Sequence, residues 1–118
     1  PWQSLERIGA PIPAAELHAA FAMAYFDKAR PRFDLALQRI DAAIAKAQAT
    51  PAKYQIIRGV SLVMLARQGG ASVGEAVEAL RGVTAKGGWI ENPAYRDVVN
   101  AFAREHGLIE IPDTRPGA

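Results

Sequence analysis

A chain of 118 residues has room for one domain with a buried core and not for two. Half of its residues are hydrophobic, about a fifth are alanine and none is cysteine, which excludes disulfides, cysteine-based zinc sites and a cysteine nucleophile and leaves the compartment open. The net charge of +2, from 14 basic and 12 acidic residues, is too small and too dispersed for a nucleic-acid-binding face. The one tight basic run, Lys28-Ala29-Arg30-Pro31-Arg32, sits at an expected helix–helix turn, where positive charge complements a helix C-terminus. The longest apolar stretch, 60–66, is far too short to cross a bilayer, and no secretory signal is visible. The sequence opens on Pro1-Trp2 without an initiator methionine, so a processed form or one piece of a longer protein is expected, and its arginine- and alanine-rich composition fits a bacterial source.

Alanine is the strongest helix former, and five or six segments read as helix. Trp2, Leu5 and Ile8 make one apolar stripe on a short helix over 1–8 that Gly9 ends. A long helix follows over 13–29, with Pro13 in its first turn, a buried stripe of Leu17, Phe21, Ala24 and Tyr25, and Pro31 as its stop. The next, 32–49, is the cleanest amphipathic pattern: Phe33, Ala36, Leu37, Ile40, Ala43, Ile44 and Ala47 against Asp34, Gln38, Arg39, Asp41 and Lys46.

Thr50-Pro51 reads as cap and first turn of a third long helix that ends at Gly69-Gly70. Its apolar residues go nearly all round, so it is expected at the centre of the fold. Ser72-Val73-Gly74-Glu75 has capping-box spacing and opens a helix carrying Val73, Ala76, Val77, Leu80 and Val83, which Gly87-Gly88 ends. Trp89-Ile90 is an apolar pair expected to pack back on a helix end. Asn92-Pro93 caps a last helix with Tyr95, Val98, Val99, Phe102 and Ala103. Residues 108–118, with Pro112, Pro116 and Gly117, read as an extended tail or linker. No strand alternation is present.

Nothing in this pattern carries catalytic chemistry. His18 and His106 lack metal-pair spacing, Asp34 and Asp41 read as a solvated face, the paired glycines are helix stops rather than phosphate cradles, and Ser4, Ser61 and Ser72 lack a nucleophile's context. No enzyme activity, cofactor or metal is expected. Arg58, a charge on the most buried helix, is expected to meet a structural acid.

The sequence also echoes itself. Ala24-Tyr25-Phe26, Phe33-Asp34-Leu35-Ala36-Leu37 and Ile40 recur as Met64-Leu65-Ala66, Val73-Gly74-Glu75-Ala76-Val77 and Leu80, at an offset of 40 residues from Ala36 to Ala76. A fixed offset of this size points to two helical hairpins. With an aromatic near the end of its first helix, an aromatic–acid pair opening the second, small Ala36 at the crossing and Pro51 closing the unit, the segment resembles a tetratricopeptide repeat. The unit here is longer than that family's usual 34 or so residues, and the second copy puts Arg58 and Ser61 where large apolar residues are usual.

The resemblance implies an all-α array of five or six antiparallel helices: one domain over 1–107, with hairpins at 13–49 and 51–87 and a capping helix at 92–106. It implies a concave face of Glu16, Ala19, Met23, Phe26 and Asp27 from the first copy and Ile56, Gly59, Val63, Ala66 and Arg67 from the second. The expected function is a non-catalytic scaffold module that binds a protein, as a peptide or helix, on that apolar face, with no nucleic acid and no membrane insertion. Two other readings fit: a domain that pairs with a second copy of itself through its third and fifth long helices, and a helical bundle holding a small molecule near Tyr54, Arg58 and His18.

Overall fold

The computed structural model describes residues 14–26 and 29–114. The expected helix over 1–8, Asp27 and the end of the tail lie outside them. The described residues form five helices and no strand: α1 (Ala14–Phe26), α2 (Phe33–Lys46), α3 (Ala52–Arg67), α4 (Val73–Ala85) and α5 (Pro93–Glu105). Links of five to seven residues join them, short enough to make successive helices antiparallel neighbours. No helix among the described residues is long and apolar enough to cross a membrane.

The helix ends follow local chemistry. The Ser72 hydroxyl accepts the Glu75 amide N–H at 3.1 Å, and the Asn92 side chain accepts that of Ala94 at 2.9 Å ahead of Pro93. Thr50 does not cap α3; Pro51 itself is the N-cap residue, and no side chain serves there. α3, α4 and α5 all end in the paired-amide closure, as when Gly88 N–H reaches Val83 O at 2.9 Å and Gly87 N–H reaches Thr84 O at 3.1 Å. Gly87 makes that closure at φ +66°, where a side chain would be strained.

α3 is the hub, packing on each of the other four helices, while α1 packs on α2 and successive helices pair onward through α4. Nine of its residues are buried, including Ser61, whose hydroxyl donates to the Ile57 carbonyl at 2.7 Å. Gly59 lets α4 approach: a Cβ there would lie 3.1 Å from Val83 Cγ2 and 3.5 Å from Leu80 Cδ2. The core joins Ala36, Ile40 and Ala43 of α2, Leu62 and Val63 of α3, Leu80 and Val83 of α4, and Val99 and Phe102 of α5.

Two expected faces differ. α1 buries Ala19, Ala22 and Phe26 rather than Leu17, Phe21, Ala24 and Tyr25. Small Ala19 and Ala22 bring its backbone close to its neighbours, and Phe21 turns outward, 39% exposed, with the Arg39 guanidinium over its ring. Val73 is exposed as well, because it stands in the first turn of α4, ahead of the stripe that starts at Ala76.

Candidate functional site

Two polar contacts fasten α1 to α3. The Tyr54 hydroxyl donates to Glu16 Oε1 at 2.7 Å, and Lys53 Nζ donates to Glu16 Oε2 at 3.0 Å. These contacts hold the Glu16 carboxyl below the usual carboxylate range, the Tyr54 hydrogen bond foremost. Burial, then the carboxylate beside it, pushes the Tyr54 phenol up to about 12. One turn further along α3, Arg58 Nε meets Asp41 Oδ1 of α2 at 2.8 Å in a partly exposed pair. Tyr54 and Arg58 thus each meet a carboxylate of a neighbouring helix, Arg58 through Nε.

An apolar groove of about 280 Å³ lies between α1, α3 and the loop that precedes α5. Met23 and Phe26 of α1 form one wall, and Ile56, Ile57 and Val60 of α3 form the floor. The opposite wall is the loop 89–92 with Tyr95 at the start of α5, while Lys53, Glu91 and Asn92 stand at the rim. Met23 is 40% exposed and Ile56 and Trp89 are half-buried, so the apolar lining meets solvent. The Tyr95 hydroxyl donates to the last carbonyl of α1, Phe26 O, at 3.1 Å. Its ring joins Phe26 and Phe33 in a three-ring cluster with centroids 5.3–6.2 Å apart, which fixes the base of this wall.

The loop wall is itself held from behind. Ile90 is buried, and its N–H donates to Pro112 O at 2.9 Å. The Asn100 side chain grips Ile111 through both backbone groups, accepting its N–H at 2.7 Å and donating to its carbonyl at 2.9 Å. Ile111 is 2% exposed, so the start of the expected tail, though extended, is a strap packed into the core. Arg96 adds Nη1 contacts to the carbonyls of Ile90 and Glu91, and Trp89 Nε1 donates to Glu91 Oε1 at 3.3 Å.

The structure distributes the expected concave residues unevenly. Met23, Phe26 and Ile56 line the groove together, Phe26 through a buried ring. Glu16 is tied up with Tyr54 and Lys53 below it. Ala19, Gly59 and Val63 are buried in helix packing, and Ala66 is half-buried against the core. Arg67 lies apart, in a second depression with Asp97, Val98, Ala101, Phe102 and Glu105. Asp27 lies outside the described residues.

The expected set lacks Lys53, Val60, Trp89 and Tyr95. Trp89-Ile90 between a glycine stop and an Asn-Pro cap was the available signal, an apolar pair in a loop that has to pack on something. His18 Nδ1 is buried without a hydrogen-bond partner, and His106 stacks on Phe102 at 4.4 Å at the end of α5. Among the described residues no three of His, Asp and Glu gather as a metal site would need. Family models, curated proteins and solved structures contain no match to this chain.

Proposed function

We propose that the chain is a peptide-binding module, a non-catalytic array of helical hairpins of tetratricopeptide type within a scaffold, and that the groove between α1, α3 and the loop 89–92 is its binding site. The observation that carries this reading is the groove's chemistry: a solvent-facing apolar lining whose walls are fixed by aromatic packing and hydrogen bonds, with rim groups already engaged inside the fold. Its volume falls just below the roughly 300–1,000 Å³ usual for small-molecule sites and suits one or two bulky side chains of a peptide. Such a groove anchors a partner by the side chains it buries.

Two features support the array reading. α2 and α4 begin 40 residues apart, at Phe33 and Val73, matching the repeat offset. α3 touches α1, α2 and α5 as well as its hairpin partner α4, the contact scheme expected of stacked hairpins. The test is selection of a displayed library of random short peptides on the immobilised protein. The expected result is enrichment of peptides with a bulky apolar residue, lost on the exposed-site variants Met23→Glu and Ile56→Glu. Failure to enrich any peptide, or enrichment indifferent to both substitutions, contradicts the proposal.

A further inference from the structure

The charges beside the groove are lopsided, and they say what kind of peptide fits. Glu91 at its rim accepts only the Trp89 indole N–H, and no cation pairs with it among the described residues. One turn beyond Tyr95, α5 leads from the groove into the second depression, which Val98 lines with Asp97 and Glu105. Those two carboxylates, like Glu75 and Asp113 elsewhere, have no ion-pair or hydrogen-bond partner among the described residues, whereas Glu16, Asp34, Asp41, Glu78 and Glu110 each pair with a lysine or arginine. Lys53 is neutralised by Glu16. Arg67 faces the second depression and donates only to the Met64 thioether, at 4.0 Å. Among the described side chains that line this seam, three carboxylates without a cation partner stand against the Arg67 guanidinium, on a chain whose net charge is +2. The Arg96 guanidinium also lacks a carboxylate partner among the described residues but lies behind the loop, held by the carbonyls of Ile90 and Glu91.

Resting on the groove reading above, we infer that the partner is a peptide that couples a bulky apolar anchor in the groove to an arginine or lysine over the second depression. The two depressions are displaced along α3 from Val60 to Arg67, seven residues, which at about 1.5 Å per residue is about 10 Å. An extended peptide covers that in about three residues at about 3.3 Å each. The anchor supplies affinity, and the cation sets direction and register along α5, because rim charges steer and select more than they bind. Exposed pairs of this kind are worth up to about fivefold in affinity each and are screened by salt.

The experiment compares the peptides that a displayed random library yields on wild type and on the triple variant Glu91→Gln, Asp97→Asn, Glu105→Gln, at low and high salt. All three positions are exposed, and folding is checked by circular dichroism. The expected outcome is that wild-type selection enriches arginine or lysine about three residues from the anchor. The selected peptides should bind the triple variant roughly tenfold more weakly at low salt, with the difference shrinking at high salt. Apolar anchors without basic enrichment, enrichment of acidic residues, or equal binding to the triple variant overturns the inference and leaves the groove reading standing. No enriched peptide at all removes the groove reading and this inference with it. A concentration-dependent dimer abolished by Met23→Glu gives the groove to a second copy and overturns it too.

Discussion

Single residues carry the fold's most specific commitments, and Glu16 is the clearest. Its carboxyl binds a proton less readily in the fold than in the unfolded chain, because Tyr54 and Lys53 hydrogen-bond its charged form. That contribution is present above the unfolded value of about 4.3 and is lost as pH falls through the depressed folded value. Glu16→Gln should therefore cost about 1 kcal/mol at neutral pH, with the gap to wild type closing in acid, as measured by urea unfolding across pH. Tyr54 works at the other end of the scale. With its phenol pushed up to about 12, its share is complete below about 10 and is lost as pH rises through the folded value, a loss Tyr54→Phe should abolish.

Gly88 makes a steric commitment. A Cβ there would stand 2.6 Å from Val83 Cγ1 and 3.1 Å from Val83 O, whereas one on Gly74 would meet nothing within 4 Å. Thermal unfolding should show Gly88→Ala destabilised by about 1–3 kcal/mol and Gly74→Ala unchanged or stabilised by up to about 1 kcal/mol.

Between elements, most of the order was written in punctuation. Pro31, Pro51, Gly69-Gly70, Ser72, Gly87-Gly88 and Asn92-Pro93 stop or start helices through backbone chemistry that needs no tertiary knowledge, so all five described helices were legible to within a few residues. Which face of a helix points inward is a different question, and α1 shows why. It is apolar or alanine at all but two of its thirteen positions, so no stripe stands out, and its packing is decided by which small residues permit close approach.

The candidate site was misplaced on α3 for a packing reason. α3 is covered by the other four helices, so Gly59 and Val63, carried over at the offset of 40 from Ala19 and Met23, are buried, whereas Met23 on α1 is 40% exposed. The loop wall was beyond reach for another reason: its position depends on Asn100, Ile111 and Pro112, contacts between a helix and a tail that no local pattern encodes. Asn100→Ala should release the strap, costing about 2 kcal/mol for two lost backbone partners. Amide exchange at Ile90 and Ile111 should speed up well before the centre of α3 responds, and uniform acceleration across all helices would contradict this local role.

At the scale of the molecule, α3 makes the rest one unit. With four helices packed on it, truncating Leu62, which is fully buried, should lower stability by about 2–5 kcal/mol and shift the loss of every helix together in a single transition. Separate transitions for the α1–α2 pair and the α4–α5 end would contradict the hub. That rigid hub gives the groove its meaning, since the floor of Ile56, Ile57 and Val60 belongs to the same helix that organises the core. For the peptide proposed to bind there, a preformed floor would lower the ordering cost that a collapsible surface imposes.

The measurement that tests this most directly is a backbone amide NMR titration of the full chain with a library-selected peptide. The account predicts saturable shifts centred on Met23, Lys53, Ile56, Val60 and the loop 89–92, absent in Met23→Glu. Shifts centred on the outer faces of α2 and α4, or a pattern unchanged by that substitution, would contradict it.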